Sequence, residues 1–461
     1  MKERKTVRKK DLISLLFCSI LFLCMNAKVQ ADGTSYYSVL LSNPEYTEEF
    51  LREAQQHNMK ITYVVREIGL IQIKASEAEV QRLNGNKMVR TYNYSLKAST
   101  SAFSAKQSDV VGAPSSLWDR QWDMKEITNN GKSYTISEGS KEVVVGIIDS
   151  GIDEDHPALQ NNIIKGSENL VPQGGFRETE QSEKGIINNI EDLTGHGTHV
   201  AGQVAANGVV RGVAPQTSLK SYRVFGTSSA ESIWIIKGII EAAKDDVDVI
   251  NLSLGEYLTS EHMNEEGGSS KSQLAEILAY EKAVMYAEGK GSVVVASVGN
   301  DSVNFNNKNE VSSFMKSHFQ LNDVKVKGHL LDVPAHISGV VAVTSTGPAK
   351  DLSVFSNKGR YVDLSAPGGD IKLLQAYGVE QWRKMELFTK EQVLSTSPKG
   401  GYIYMAGTSS AAPKVSGTLA LIIDQYNLKD NPKKAKQKLL QKSERSEETN
   451  IKALNTYKAI K

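Results

Sequence analysis

The sequence has almost no cysteine: Cys18 and Cys24, both near the amino terminus, are its only two among 461 residues. A small disulfide-stapled scaffold is therefore excluded. Net charge is also lacking, because 54 Lys and Arg face 53 Asp and Glu, so no basic field predicts a nucleic-acid partner. With 40% hydrophobic and 23% charged residues, the composition is that of an ordinary globular chain. At roughly 100–200 residues per domain, the length predicts two to four domains.

Residues 1–31 predict a secretory signal peptide. Six Lys and Arg residues precede an apolar run over 12–25, and a small-residue pattern ends at Ala31. An uncleaved membrane anchor is the weaker alternative, because the run is shorter than the ~20 residues that a spanning helix needs. We expect a secreted, extracellular monomer without membrane contact in its mature form. Without these residues the chain has no cysteine, and 47 Lys and Arg against 51 Asp and Glu give a formal charge of −4.

Residues 32–94 predict a small α+β module. Strands are expected at 36–41, 60–66, 70–74 and 88–93, and helices at 45–57 and 76–83. This βαββαβ order is typical of a ferredoxin-like fold. Residues 95–117 contain many Ser and Ala and little apolar periodicity, so they predict an exposed linker.

Residues 118–461 predict an α/β domain. Nearly continuous apolar strands are expected at 143–149, 247–253, 292–298 and 339–345, the pattern of parallel strands that are buried on both faces. Two segments, 229–243 and 274–288, carry apolar residues at helical spacing. We therefore expect a doubly wound, mostly parallel sheet with helices on both faces.

Two candidate catalytic side chains lie where such a sheet places its sites. Asp149 ends the first of these strands, although a strand-ending Asp is equally well a turn-forming residue. His196 lies between two glycines at a predicted helix start, and the glycines permit the close approach that a general base needs. Alternatively, His196 and His199 could form a metal pair, but no His-Glu-x-x-His arrangement is present.

Ser409 lies at the predicted start of an apolar helix that runs to Ile423. The positive end of the helix dipole and the free N–H groups there favour developing negative charge. Pro413 is compatible with this helix because we expect it within the first turn. The alternative is a purely structural role for Ser409 as the helix N-cap.

Three motifs stand in a fixed order along residues 118–461. They are Asp-Ser-Gly-Ile-Asp at 149–153, Gly-His-Gly-Thr-His-Val-Ala-Gly at 195–202 and Gly-Thr-Ser-Ser-Ala-Ala-Pro at 407–413. The order Asp, His, Ser is that of the subtilisin triad and differs from the chymotrypsin and α/β-hydrolase orders. In these motifs the chain resembles the subtilisin-like serine proteases.

The resemblance implies a serine endopeptidase that works through an acyl-enzyme. His196 would take the proton of Ser409 and Asp149 would orient the histidine ring. A further match, Ala-Ser-Val-Gly-Asn ending at Asn300, implies that the Asn300 amide and the Ser409 N–H hold the oxyanion.

The resemblance also implies substrate contacts. The match Asn-Leu-Ser-Leu-Gly implies that the backbone of Ser253, Leu254 and Gly255 pairs with the substrate and lines the pocket for the residue before the cut. Asp301 would border that pocket and favour Arg or Lys through a charge-assisted bond. The alternative for Asp301 is a solvated turn residue.

The family resemblance also implies that the small module is an inhibitory propeptide. The maturation cut would then fall in the linker, where Lys97 and Lys106 are plausible basic residues for the cut. Within the family, the chain resembles the lantibiotic leader peptidases in its length, short propeptide, absence of disulfides and polar insertions at 171–191, 256–271 and 304–325. That likeness implies removal of the leader from a modified precursor peptide after a basic residue.

No cofactor is required for this chemistry. The loop at 204–212 is about three residues shorter than the calcium loop of many subtilisins, so the usual tight calcium site is doubtful, while calcium elsewhere stays open. Two rival functions remain. One is a broad-specificity secreted protease for nutrition or virulence, and the other is a non-enzymatic protein on a degenerate protease scaffold.

Overall fold

The computed structural model describes residues 33–98, 103–104, 116–227, 229–260, 272–319 and 329–461. The predicted signal peptide and Lys106 lie outside these ranges. Across the ranges, no helix combines the length and the apolar character that crossing a membrane requires.

The small module is a four-stranded antiparallel sheet with two helices. Its strands, in spatial order, are Lys60–Val65, Leu70–Ser76, Thr34–Leu41 and Val89–Tyr94, and its helices are Thr47–Gln56 and Glu77–Gln81. Phe50 and Ala54, on the apolar stripe of the first helix, are buried in the module's own core. The βαββαβ order expected from the sequence is confirmed.

The start of the predicted linker is not exposed, which corrects the sequence interpretation. Ser95 and Ala98 are buried, and Lys97–Ala98 pairs in antiparallel fashion with Ala230–Glu231 of the larger domain. The Leu96 carbonyl accepts the Ser232 N–H at 3.2 Å. Polar composition suggested solvent exposure, but a strand pair with a distant segment supplies the missing backbone partners.

A nine-stranded sheet forms the centre of the larger domain. Its strands, in spatial order, are Glu444–Arg445, Lys452–Ala453, Leu364–Pro367, Val341–Thr346, Val293–Ser297, Val249–Leu252, Val144–Asp149, Ser218–Arg223 and Glu168–Asn169. Every neighbouring pair is parallel except the first, which is antiparallel. The predicted parallel sheet is confirmed.

Alternate residues of the central strands enter two apolar clusters on opposite faces of the sheet. Ile147 lies in one cluster, with Val200 and Val415, and its neighbour Ile148 lies in the other, with Ile236 and Ala283. This alternation explains why the strands are apolar throughout, since both faces are covered by helices.

The helices of this domain vary from one turn to five. They are Trp122–Ile127, His196–Ala205, Ser232–Lys244, Leu274–Gly289, Lys308–His318, Lys372–Lys384, Phe388–Glu391, Thr408–Tyr426, Pro432–Lys442 and Thr456–Ile460. We call His196–Ala205 the histidine helix and Thr408–Tyr426 the serine helix. Both pack on the same face of the sheet.

Within the described residues, three small sheets accompany the large one. In addition to the linker pair, Glu256–Thr259 pairs with Leu330–Val333, and Gly401–Ala406 pairs with both Val393–Ser397 and Phe103–Ser104. Because Gly401–Ala406 leads directly into the serine helix, residues 103–104 lie beside the chain that presents Ser409.

Candidate active site

Asp149 ends the central strand Val144–Asp149 and is 1% exposed. Its Oδ1 accepts the Ser150 N–H at 2.7 Å and is 2.7 Å from His196 Nδ1. A proton on Nδ1 satisfies this bond, which leaves Nε2 as the basic nitrogen of the neutral ring. The structure therefore brings together the first two residues of the predicted triad.

His196 begins the histidine helix, and glycine is required on both sides of it. Gly195 adopts the left-handed region at φ +85°, and a Cβ added to Gly197 would lie 2.1 Å from the Gly151 carbonyl oxygen. Burial disfavours the charged ring, but the Asp149 carboxylate and its hydrogen bond outweigh burial and raise the pKa of His196 above its usual value.

Asp192 holds the start of the histidine helix in place. Its Oδ1 accepts Ser150 Oγ and the Gly195 N–H, both at 2.8 Å. Its Oδ2 accepts the N–H and the hydroxyl of Thr198 at 2.8 and 2.7 Å. Sequence reasoning missed this residue, although an Asp just before a predicted helix start is a recognisable capping signal.

Ser409 is the second residue of the serine helix, and Gly407 occupies the N-cap position. Its hydroxyl does not cap the helix: Ser409 Oγ is buried without a hydrogen-bond partner among the described residues. The same holds for His196 Nε2. The two atoms that the triad chemistry needs are thus both unengaged, which argues against the N-cap alternative.

Pro413 is the sixth residue of the serine helix and lies in its second turn, which corrects the expectation of a first-turn position. Since proline has no N–H, the Ser409 carbonyl loses its helical partner. Ser253 Oγ replaces that partner at 2.8 Å and accepts Asn251 Nδ2 at 3.0 Å. The Ser253 side chain is therefore used inside the protein, and its backbone is what can face a substrate.

Asn300 lies next to the serine helix and is 8% exposed. Its Oδ1 accepts the N–H and hydroxyl of Thr408 at 3.0 and 2.9 Å. These bonds fix the amide orientation, so Nδ2 lies on the side away from Thr408. Asn300 thereby stands beside the N–H groups at the start of the serine helix, as an oxyanion-hole donor must.

Asp301 is exposed, and its carboxylate accepts a short hydrogen bond from Tyr257 OH. The Tyr257 ring packs edge-on against Phe314 and His318, both on the helix Lys308–His318. This helix belongs to the predicted polar insertion at 304–325. The insertion therefore braces the segment that carries Asp301.

Asp332 is a buried carboxylate beneath the predicted substrate-binding segment, and sequence reasoning missed it. It is 1% exposed, and its Oδ2 accepts the Gly299 N–H, Asn357 Nδ2 and Tyr361 OH at 2.8, 3.0 and 2.9 Å. Burial raises its pKa to about 6. A Cβ added to Gly255 would lie 3.7 Å from its Oδ1.

The metal-pair alternative for His196 and His199 is not supported. His199 is buried, its Nε2 lies 3.3 Å from the Val393 carbonyl, and burial lowers its pKa to about 3. In the part of the chain that the structure describes, no group of three or more His, Cys, Asp or Glu side chains is arranged to hold a metal ion. The expectation for calcium stays a prediction.

The comparison with protein families decides the identity. A model described as the subtilase family matches residues 140–457. The chain belongs to the subtilase family. This subtilase is accordingly a serine endopeptidase, and the family and enzyme class expected from the sequence are confirmed.

Two curated relatives and their solved counterparts resemble this subtilase over most of its length. It is 41% identical to the epidermin leader peptide-processing serine protease EpiP of Staphylococcus epidermidis, across 88% of this chain and 87% of that protein. It is also 41% identical to the nisin leader peptide-processing serine protease NisP of Lactococcus lactis subsp. lactis, across 74% of this chain and 49% of that protein.

The solved structures agree. A crystal structure of EpiP from Staphylococcus aureus matches with a TM-score of 0.81 and 37% identity, covering 93% of this chain and 98% of that one. The structure of NisP from Lactococcus lactis matches with a TM-score of 0.71 and 40% identity, covering 75% and 95%. The predicted subtilisin-like fold is confirmed.

Proposed function

We propose that this subtilase is a secreted peptidase that removes the leader from a lantibiotic precursor by cutting after a basic residue. The similarity to EpiP and NisP supports the leader as substrate. The observation that carries the basic preference is the buried Asp332 carboxylate under Gly255. The signal-like segment 1–31 supports export.

In the proposed mechanism, Ser409 Oγ attacks the peptide carbonyl while its proton passes to His196 Nε2, and the imidazolium then protonates the leaving amine. Asp149 stabilises that imidazolium through its 2.7 Å contact with Nδ1. Water then attacks the acyl-enzyme in the same way: it gives its proton to His196, and the imidazolium returns a proton to Ser409 as the acid product leaves. The raised pKa of His196 suits a general base near neutral pH.

The oxyanion of each tetrahedral intermediate would be held by Asn300 Nδ2 and the Ser409 N–H. Thr408 fixes the Asn300 amide in advance, so little reorganisation is needed as charge develops. The positive end of the serine helix, which is 19 residues long, adds to this stabilisation.

Basic specificity would come from Asp332, with Asp301 at the rim. Asp332 Oδ2 is occupied by three donors, so Oδ1 is the oxygen left for a guanidinium or ammonium group. Asp301 is exposed, so solvent screens its attraction for a substrate cation. Ser253, Leu254 and Gly255 would supply the backbone that pairs with the peptide.

We propose that residues 32–94 form an inhibitory propeptide, which binds the mature domain of the same chain. We also propose that the maturation cut falls between Ala98 and Phe103. Lys97–Ala98 pairs with Ala230–Glu231, and Phe103–Ser104 pairs with Met405 and Ala406, which lead directly into the serine helix. The four residues between these pairs include no Lys or Arg. Intramolecular presentation can compensate for a poor side chain at the cut.

The alternative is a broad-specificity secreted protease, which would use the same catalytic residues. The test compares the rate of cleavage of a leader-bearing precursor with that of casein, under identical conditions. We expect the precursor to be cut much faster, at one bond. Comparable rates on casein would favour the alternative.

Amino-terminal sequencing of the secreted protein tests maturation, and a terminus at Asp32 would overturn the proposed cut.

A further inference from the structure

The small module docks on two helices of the catalytic domain, Ser232–Lys244 and Leu274–Gly289, which we call the docking helices. Four apolar side chains of the module join the cluster that these helices form: Leu40, Val65, Ile68 and Leu70. Tyr63 OH donates to the Leu170 carbonyl at 2.9 Å. The contact is thus apolar at its centre and hydrogen-bonded around it.

Glu276, on the second docking helix, is fully buried under the module. Its Oε2 accepts a short hydrogen bond from Asn93 Nδ2. The Asn93 side chain is held in turn by the Ala275 N–H at 2.8 Å. Oε1 has no hydrogen-bond partner in the described part of the chain. The charged group with the largest effect on the pKa of Glu276 is another acid, Glu256.

The neighbouring acids differ in how they are matched. Glu256 accepts Ser232 Oγ at 2.8 Å and Tyr280 OH at 2.9 Å, without a cation. Glu231 is 1% exposed and lies 3.3 Å from Arg177 Nε, next to Gln72 of the module, while Lys97 is its strand partner. Of these three acids, Glu276 therefore has the fewest partners in the docked state that could stabilise a negative charge.

We infer that this interface is a proton-operated latch, in which the module stays docked while Glu276 is protonated and is released when Glu276 ionises. The inference rests on the proposed role of the module as an inhibitor. A protonated Glu276 fits the site better than an ionised one, because Oε2 accepts from Asn93 and a buried hydroxyl without a partner costs much less than a buried charge. An ionised carboxylate there would be buried without a counter-charge.

The direction of the pH dependence follows from the raised pKa values. Burial raises the pKa of Glu276 to about 8 and those of Glu231 and Glu256 to about 7. With the module gone, an exposed glutamate returns toward a pKa of about 4.3. For Glu276, the docked state then holds a proton that the free state gives up, so docking is strongest below about pH 5 and weakens by up to about tenfold per pH unit as the pH rises toward 8.

An ordinary ion pair in the same interface offers a matched control. Glu67 of the module pairs with Lys244 at 3.0 Å and Lys237 at 3.7 Å on the first docking helix. The pKa of Glu67 is lowered and that of Lys244 is raised, so the pair stays ionised across the neutral range. Loss of this pair should weaken docking equally at every pH.

The experiment uses the full chain with Ser409→Ala, Cys18→Ser and Cys24→Ser, so that neither self-cleavage nor a native thiol interferes. Val65→Cys then reports opening of the interface through its rate of thiol labelling, divided by that of an unstructured cysteine peptide at the same pH. We expect this ratio to rise by up to about tenfold per pH unit from pH 6 to 7.5.

Glu276→Gln should reduce that rise by about tenfold per pH unit, whereas Glu67→Gln should raise labelling at all pH values without changing its slope. Leu439→Cys, buried far along the chain, reports global unfolding and should stay protected. Asn93→Asp, on the module, adds a second carboxylate and should shift opening to lower pH.

An unchanged slope in Glu276→Gln, or no shift in Asn93→Asp, would overturn the latch. Because the chain carries Ser409→Ala, these results do not depend on proteolysis. If wild-type protein fails to cut itself or a leader while the labelling follows the expected slope, the proposed function fails and the proton-dependent docking stands.

Discussion

The sharpest prediction concerns Asp332→Asn and the preference for a basic residue before the cut. Asparagine keeps the shape of the side chain and can still accept from Gly299, Asn357 and Tyr361, so the fold should be retained. What is removed is the negative charge beneath Gly255. A hydrogen bond to a charged group contributes about 1.5–3 kcal/mol, so kcat/KM for an Arg substrate should fall about 10- to 150-fold.

The assay is the ratio of kcat/KM for two peptides that differ only in Arg or Leu before the scissile bond. The titration of His196 affects both peptides and cancels in this ratio. Since the pKa of Asp332 is raised to about 6, the wild-type ratio should fall as the pH drops from 8 through 6, where the carboxylate takes up a proton. The ratio for Asp332→Asn should be small and flat over this range.

Asp301→Asn is the matched control. Asp301 is exposed, so its contribution should stay below about 1 kcal/mol, a change of about fivefold or less in the ratio. A ratio that is unchanged in Asp332→Asn, or that depends mainly on Asp301, would refute the assignment of specificity to the buried carboxylate.

Two further predictions test the catalytic helices. Asn300→Ala should lower kcat by about 10²–10³ with little change in KM, since it removes an oxyanion donor that acts chiefly in the transition state, and steady-state kinetics on one peptide measure both. Lys414→Met should destabilise the fold by about 3–5 kcal/mol, because it strands the Asp123 carboxylate, which lies 2.9 Å from the Lys414 ammonium with both side chains fully buried. Combining it with Asp123→Leu should recover most of that loss in urea unfolding, and a double variant as unstable as Lys414→Met would contradict this.

The sequence predicts the main sheet well because its strands are apolar on both faces. It proposes Asp149, His196 and Ser409 as a triad because each stands at a strand end or helix start with glycines around it, and the structure brings Asp149 and His196 into contact. Asp332 escaped notice for a physical reason. Its place depends on the pairing of Glu256–Thr259 with Leu330–Val333, and nothing local in either segment reveals that pairing.

Other features likewise depend on contacts between distant segments. The role of the Ser253 side chain follows from the carbonyl that Pro413 leaves without a partner, 156 residues further along the chain. Glu276 is buried because the module docks over it. Its place in a predicted helix, taken alone, indicates only a solvated acid. The linker was expected to be exposed because its composition is polar, whereas Lys97–Ala98 finds a strand partner.

The most direct test of the account is mass spectrometry of a leader-bearing lantibiotic precursor after incubation with the mature protein, beside a parallel sample of the Ser409→Ala variant. We predict a single cut after a Lys or Arg at the end of the leader, and an intact precursor with Ser409→Ala. Cuts at many unrelated bonds, a cut after an uncharged residue, or equal cleavage by Ser409→Ala would contradict the account.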